Sequence, residues 1–443
     1  MTDSHYKNFI VGLGETGLSV AAYLQRQDIP FVMVDTREDP PQLNSFKHRF
    51  PQAEVCLGEL SNNVFANAKQ IIVSPGIDIN NEFIQSAVAQ GAECCGDIEL
   101  FFASTQTPIV AITGANGKST VTSLVAAMAR SAGVQAYAGG NLGPPALDLL
   151  EVDDAELFVL ELSSFQLEST QSLAPQVSVV LNISPDHLDR HGSVDRYARI
   201  KSQVYKHANV SVVNRSDEFV SKMKISGMMI SFGLDHPEDG HFGLIHDDGC
   251  PFLAQGENTL LATSAIALQG ESGILNSLAA LAIGKALSLP LVGMLNTLKT
   301  IKGLPHRFSF VGEAQGISWF NDSKGTNIGA SISSLRGLKD NVILLAGGVF
   351  KGGDLRLLHD AVAKHAKHVI LFGQDAKLFE LAFRGAASIH LANSIRDAVA
   401  VASELALAGD KVLLSPACAS FDMYENYMLR GEDFERCVKE LAL

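Results

Sequence analysis

The stretch "PIVAITGANGKSTVTSLVAAMARSAG", residues 108–133, decides the fold. A β-branched apolar run from Ile109 to Ile112 meets a Gly/Asn turn, and Gly-Lys-Ser-Thr then opens a segment with helical spacing. Strand, glycine-rich loop and helix in that order are the context of a phosphate-binding loop. Ile112 stands where the six-spaced pattern places its first glycine, so the context carries the reading rather than the pattern. Backbone N–H groups from Gly114, through Asn116, to Gly117 can wrap phosphate oxygens. Lys118 would neutralise them, and Ser119 or Thr120 would offer a hydroxyl to Mg²⁺. The bland alternative is a Gly-Lys-Ser turn that merely starts a helix.

Outward from this loop, short apolar runs alternate with helical segments along the chain. "NFIVGLG", "FVMVD", "QIIVSPG", "ELFVLELSS", "QVSVVLNIS", "NVILLAGG", "HVILFG" and "KVLLSPA" each read as a buried strand followed by a polar loop. That alternation predicts an α/β protein with mainly parallel sheets. At 443 residues the chain is long enough for about three domains. Joins are expected at "ASTQTP" and at "IKGLPHRFSF", where Gly303 and Pro305 interrupt a helical stretch. The resulting domains are residues 1–100, 101–304 and 305–443. The Gly-, Asp- and His-rich segment from about 225 to 272 reads as an irregular or hairpin elaboration of the middle domain.

A hydrophobic fraction of 47%, with 19% charged residues, is that of a folded globular chain. The net charge of −14 disfavours sequence-independent nucleic-acid binding, which needs a basic footprint. Neither a leader nor a run of about 18 apolar residues is evident, so a cytoplasmic enzyme without membrane insertion is expected. The six cysteines lack paired metal-ligand spacing and read as packing thiols.

Other loops add chemistry. "VGLGETG" gives G-x-G-x-x-G at Gly12, Gly14 and Gly17, with Asp35 closing the next strand, which fits a diphosphate at a helix N-terminus or a purely structural tight turn. Glu161 ends an apolar strand, where a carboxylate either holds Mg²⁺ or is simply solvated. "NISPDHLDRHG" gathers Asp186, His187, Asp189 and His191, although a His ligand would be unusual for Mg²⁺. "WFNDSKGTN" with Asp322, Lys324 and Thr326, "LLAGGVFKGGD" with Lys351, and "LLSPACASFDMYENY" with Ser415, Ser420 and Tyr427 each start where a strand ends. Three ligand surfaces in three domains argue for ATP-driven joining of two ligands. A dinucleotide-binding oxidoreductase or sensor is the reading from a different class.

Together "TGANGKST", "GGNLG", "LELSSFQLE", "ISPDHLDRHG", "YARIKSQVY", "LPHRF", "NDSKGTN" and "SPACASFD" make the chain resemble the Mur ligase family over nearly its whole length. The resemblance implies a Rossmann-like N-terminal domain, a central P-loop ATPase domain and a Rossmann-like C-terminal domain. It further implies an ATP- and Mg²⁺-dependent amide ligase that joins D-glutamate to UDP-N-acetylmuramoyl-L-alanine through an acyl phosphate, and a monomer is expected because three domains can build the site without a partner. Sister ligases and folylpolyglutamate-type ligases are the alternatives within that class. Carried over by motif, Gly14, Thr16, Asp35, Thr36, Arg37 and Gly76 would hold the UDP part, with Asn141 and His187 near the reacting carboxylate. Gly114, Asn116, Gly117, Lys118, Ser119, Thr120, Asn276, Arg307 and Asp322 would hold ATP, and Thr326, Lys351, Ser420 and Tyr427 would surround D-glutamate. Tyr427 departs from the family's usual Phe. Ser119, Glu161, His187 and Lys201 would serve two Mg²⁺ ions, Lys201 as a carbamate, and Lys118, Glu161, His187 and Lys201 would be catalytic. Its residue pattern alone makes Lys201 a helix-surface lysine.

Overall fold

The computed structural model describes residues 8–58, 60–61, 64–268 and 270–441. The first unit is a five-stranded, wholly parallel sheet in the spatial order Glu54–Leu57, Val32–Asp35, Asn8–Val11, Gln70–Val73, Glu93–Gly96. This is the order of a mononucleotide-binding half, with the first strand central. Gly17 explains the fingerprint's last glycine: a Cβ there would lie 2.1 Å from the Gly12 carbonyl oxygen, so only glycine lets the helix Glu15–Arg26 close onto the strand before it.

The central sheet has nine strands. Ile109–Thr113 lies between Leu157–Glu161 and Val177–Val180, Ala136–Gly140 forms one edge, and Val210–Asn214 and Met228–Phe232 extend the other, all parallel. Beyond them Phe242–Asp247, Cys250–Gln255 and Asn258–Ala262 form an antiparallel meander, the hairpin elaboration expected for this region. The helices Lys118–Ser131 and Gly270–Ala286 bury Val121, Leu124, Val125, Leu278 and Leu281 against one face of this sheet. All five residues of Ile109–Thr113 are buried, as a strand covered on both faces requires.

The third sheet has six strands ordered Ser309–Ala314, Ile317–Asn321, Lys411–Leu414, Val342–Gly347, Ala366–Phe372, Ser388–Leu391, with only the first antiparallel to its neighbour. Two apolar cores, built around Trp319 and Phe434 and around Phe379 and Phe383, belong wholly to this unit.

The two joints differ in kind. The expected boundary at 100 falls within the helix Asp97–Ser104, whose Ile98 and Phe101 share one apolar core with Ile10 and Phe46 of the first sheet and Leu147 and Phe158 of the central unit. The segment 301–308, by contrast, is irregular, and His306 and Phe308 both hold positive φ. Among the described residues no helix is long and apolar enough to cross a membrane.

Candidate active site

Three adjacent central strands end side by side, so the loops after Thr113, Glu161 and Val180 open onto one edge of the sheet. In open α/β sheets ligands lie at that carboxyl edge. Gly117 caps the helix Lys118–Ser131 in the left-handed region, at φ 85°, and a Cβ there would come within 2.4 Å of Asn276 Oδ1. Both facts demand glycine. Lys118 Nζ folds back to donate to the carbonyl oxygens of Gly114 (3.0 Å) and Ala115 (2.9 Å), across the mouth of the loop. Arg307, in the irregular segment of the second joint, donates to Ser119 Oγ at 2.6 Å. Thr120 follows in the same first helical turn.

Glu161 is buried. Its Oε1 accepts from Asn141 Nδ2 at 2.7 Å, while Oε2 is buried without a hydrogen-bond partner among the described residues. Burial pushes this carboxyl up, but Lys118, the Ser119 hydroxyl, Asn141 and Arg307 outweigh it and hold the group below its ordinary value. A buried carboxylate oxygen without a hydrogen-bond partner is open to a further ligand. Asp186 is held low in the same way: burial opposes ionisation, and Lys351, His187 and Asn327 overcome it.

Lys201 departs from the surface position its pattern suggested. It is 1% exposed, on the helix Val194–Ser202, with Nζ donating to Thr113 Oγ1 at 3.0 Å and lying 4.7 Å from the centre of the Tyr197 ring. Burial, and then the Lys118 charge, push this amine well below its ordinary value. His187 sits at positive φ before the helix Leu188–His191, edge-on to Phe165 with ring centres 5.0 Å apart. Burial lowers its imidazole against the pull of Asp186, which favours the neutral ring.

The C-terminal unit brings more cations to this edge. Lys351 Nζ donates to Asp186 Oδ1 (3.0 Å) and Thr326 Oγ1 (3.3 Å). Lys324 Nζ lies 4.1 Å from the centre of the Tyr427 ring, and burial, then Arg307 and Lys118, push it down to about 8. Ser420 is buried in the loop after Lys411–Leu414. Asp322 is turned inward, accepting from Ser334 Oγ (2.7 Å), Ser415 Oγ (2.8 Å) and Phe308 N (3.3 Å), and burial raises it to about 6.

In the first unit, Asp35 Oδ2 accepts from Leu13 N at 2.6 Å, and both of its oxygens are bridged by Arg37 at 2.7 and 2.8 Å. Thr36 is exposed beside this pair, while Gly14 caps the helix that carries Thr16 and Gly76 is exposed in the loop after Gln70–Val73. Arg190 Nη2 ties that loop to the His187 segment by donating to Ile77 O at 3.1 Å and to Glu168 at 2.9 Å.

Family models cover the three units in turn: the MurD-like N-terminal domain of Mur ligases over residues 6–96, the Mur ligase middle domain over 112–284, and the Mur ligase glutamate ligase domain over 306–418. The chain belongs to the Mur ligase family. It is 44% identical to the UDP-N-acetylmuramoylalanine--D-glutamate ligase of Pseudomonas aeruginosa, over 100% of this chain and 99% of that one. It is 43% identical to the Nitrosococcus oceani protein of the same name, over 98% and 96%. Among solved structures, the UDP-N-acetylmuramate-alanine ligase of Thermotoga maritima matches in fold, with TM-score 0.61 and 16% identity over 98% of this chain and 100% of that one. The folylpolyglutamate synthase of Mycobacterium tuberculosis also matches in fold, with TM-score 0.59 and 15% identity over 77% and 93%.

Several residues that shape this edge of the sheet are not singled out by pattern. Thr113 anchors Lys201 and itself donates to Leu162 O at 2.7 Å. Asn182 holds the P-loop by accepting from Asn116 N (2.8 Å) and donating to Asn116 O (3.0 Å). Arg430, wholly buried, donates to Ser323 O at 2.8 Å and Cys418 O at 3.2 Å, and so ties two C-terminal loops together. Asn182 lies two residues past the strand Val177–Val180 and is open to the same argument as Glu161. Arg430 lies in a helix whose pattern gives no such sign.

Proposed function

We propose that the protein is an ATP-dependent ligase that joins D-glutamate to UDP-N-acetylmuramoyl-L-alanine with release of ADP and phosphate. The observation that carries this is the convergence of Lys118, Glu161, Lys201 and His187 from the central unit with Arg307 from the second joint and Lys324 and Lys351 from beyond it. A kinase needs the P-loop, but cations from another domain serve a second, anionic substrate. The names of the full-length relatives support the identity of the substrates.

A carboxylate does not condense with an amine while its oxygen is a poor leaving group. In this reading the L-alanyl carboxylate attacks the γ-phosphate of ATP, and the acyl phosphate so formed loses phosphate when the amine of D-glutamate attacks. Lys118 would leave the Gly114 and Ala115 carbonyls for phosphate oxygens, and Arg307 beside Ser119 would offset charge on the transferring group. Asn141 near the carboxylate would orient it, and Thr326 and Lys351 would hold the incoming amino acid. The amine must lose a proton, and a neutral His187 can take one. The second joint would let the C-terminal unit close over the acyl phosphate and keep water from it.

The donor set fits Mg²⁺: the Ser119 hydroxyl and the unpartnered Glu161 oxygen are hard ligands, and among the described residues no three His, Cys, Asp or Glu side chains form a ready cage. Mg²⁺ is usually held in this way, by one or two carboxylates with phosphate oxygens completing its shell. When bound, the ion supplies charge neutralisation between phosphate and carboxylate. For a second ion, Lys201 would have to offer oxygen. A buried amine shifted toward its neutral form is the species that adds CO₂, which supports a carbamate there.

Phosphate release from ATP, measured with UDP-N-acetylmuramoyl-L-alanine and D-Glu, L-Glu, L-Ala or L-Lys in turn, tests the assignment: D-Glu alone should support turnover. Turnover with L-Lys alone would sink it. For Lys201, protein in ¹³C-bicarbonate should show a carbamate carbon resonance that Lys201→Arg lacks.

A further inference from the structure

Asn327 ends the motif "NDSKGTN" and is the N-cap of the helix Ile328–Leu338, 6% exposed. Its Oδ1 accepts from Ala330 N at 2.9 Å, which is all that a cap requires. The rest of the amide is used elsewhere. Nδ2 donates to Asp186 Oδ2 at 3.0 Å, and the amide exchanges a reciprocal pair of hydrogen bonds with the side chain of Asn116, each 3.2 Å long. Asn116 is the P-loop residue held on its backbone by Asn182, and Asp186 is the carboxylate that Lys351 also grips.

One side chain of the C-terminal unit therefore touches the phosphate loop and the loop that carries His187. Serine, threonine or aspartate would cap this helix about as well. Only asparagine adds two donors to the acceptor. The donors contribute nothing to the helix, so the choice of residue answers to the contacts across the joint.

We propose that Asn327 is a positioning residue that couples docking of the C-terminal unit to the P-loop, aligning the amino-acid side of the site with the bound phosphates. The proposal rests on the ligase reading for its substrates. Asn327→Asp keeps the cap, loses both donors and places a carboxylate against Asp186. Asn327→Ser keeps the cap without adding charge. Asn327→Ser should keep a Tm close to the wild type, Asn327→Asp should lower it through repulsion from buried Asp186, and in both kcat/KM for D-glutamate should fall about tenfold or more, the scale of two lost hydrogen bonds. In small-angle X-ray scattering with ATP and Mg²⁺, both should retain a larger radius of gyration than the wild type.

Wild-type kcat/KM in both variants would overturn the coupling. A Tm loss shared by Asn327→Asp, Asn327→Ser and Asn327→Ala would make the residue structural and would also overturn it. A wild-type protein that releases no phosphate with UDP-N-acetylmuramoyl-L-alanine and D-glutamate overturns the substrate assignment instead, and the scattering comparison still decides the coupling.

Discussion

At the scale of single residues, the site is built by burying charges that would rather be solvated and then matching them. Gly117 shows how little freedom this leaves: in Gly117→Ala the left-handed backbone costs about 1–2 kcal/mol, and the new Cβ displaces Asn276. Steady-state kinetics should show KM for ATP rising at least about tenfold; an unchanged KM would mean that the loop tolerates a side chain. Tyr427 poses the opposite case. Its ring face meets Lys324, a contact worth about 0.5–2 kcal/mol to which the hydroxyl is not needed. Tyr427→Phe should therefore leave KM for D-glutamate within about twofold, and Tyr427→Ala should raise it several-fold. A large effect of Tyr427→Phe would show that the hydroxyl belongs to the pocket. Glycines and strand-end carboxylates were legible because they sit at fixed offsets from apolar runs. Lys201 was not, because the loops that bury it come from the distant Thr113 and Glu161 strands, and helical spacing on its own segment cannot report them.

At the scale of elements, the legible parts were those whose pattern answers to local chemistry. Each apolar run quoted from the sequence is a strand, and "STVTSLVAAMARSAG" begins with the helix that Gly117 caps. Short partly exposed strands such as Glu54–Leu57, whose apolar run is only the three residues Val55, Cys56 and Leu57, are not distinguished by pattern. The helix Asp97–Ser104 hides a tension of its own. Asp97 opens it, wholly buried, with Oδ2 accepting from Gln166 Nε2 at 3.3 Å and Oδ1 without a partner among the described residues. Burial raises this carboxyl to about 6, against a smaller lowering by Gln166 and the helix-start amides. A folded-state value above the unfolded one means that the folded protein binds the extra proton, so stability falls as pH rises from about 4 to about 6 and stays reduced above. Asn in place of Asp removes that penalty, so Asp97→Asn should raise Tm at pH 8 and leave it nearly unchanged at pH 4. A variant less stable than the wild type at pH 8 would show that the ionised form is matched by a partner.

At the scale of the whole molecule, the two joints set what can move. The first is apolar: Ile98 and Phe101 are buried with Phe46, Leu147 and Phe158, and separating them would expose several large side chains at roughly 1.5–3 kcal/mol each. The second is polar, held by Arg307 on Ser119, Lys351 on Asp186, the Asn116 and Asn327 amides, and Ser272 on Ser333, all contacts that water can replace. Gly303 and Pro305 lie in the irregular segment that links the central unit to the third sheet, where few backbone bonds resist a change of φ and ψ. The C-terminal unit should therefore rotate about residues 301–308 as ligands bind, and the first unit should follow the central sheet. Crystals of the free and fully liganded protein, superposed on residues 109–300, test this directly. A third sheet in the same orientation in both would sink the hinge, and a first sheet that moves further than the third would overturn the energetic ranking of the joints.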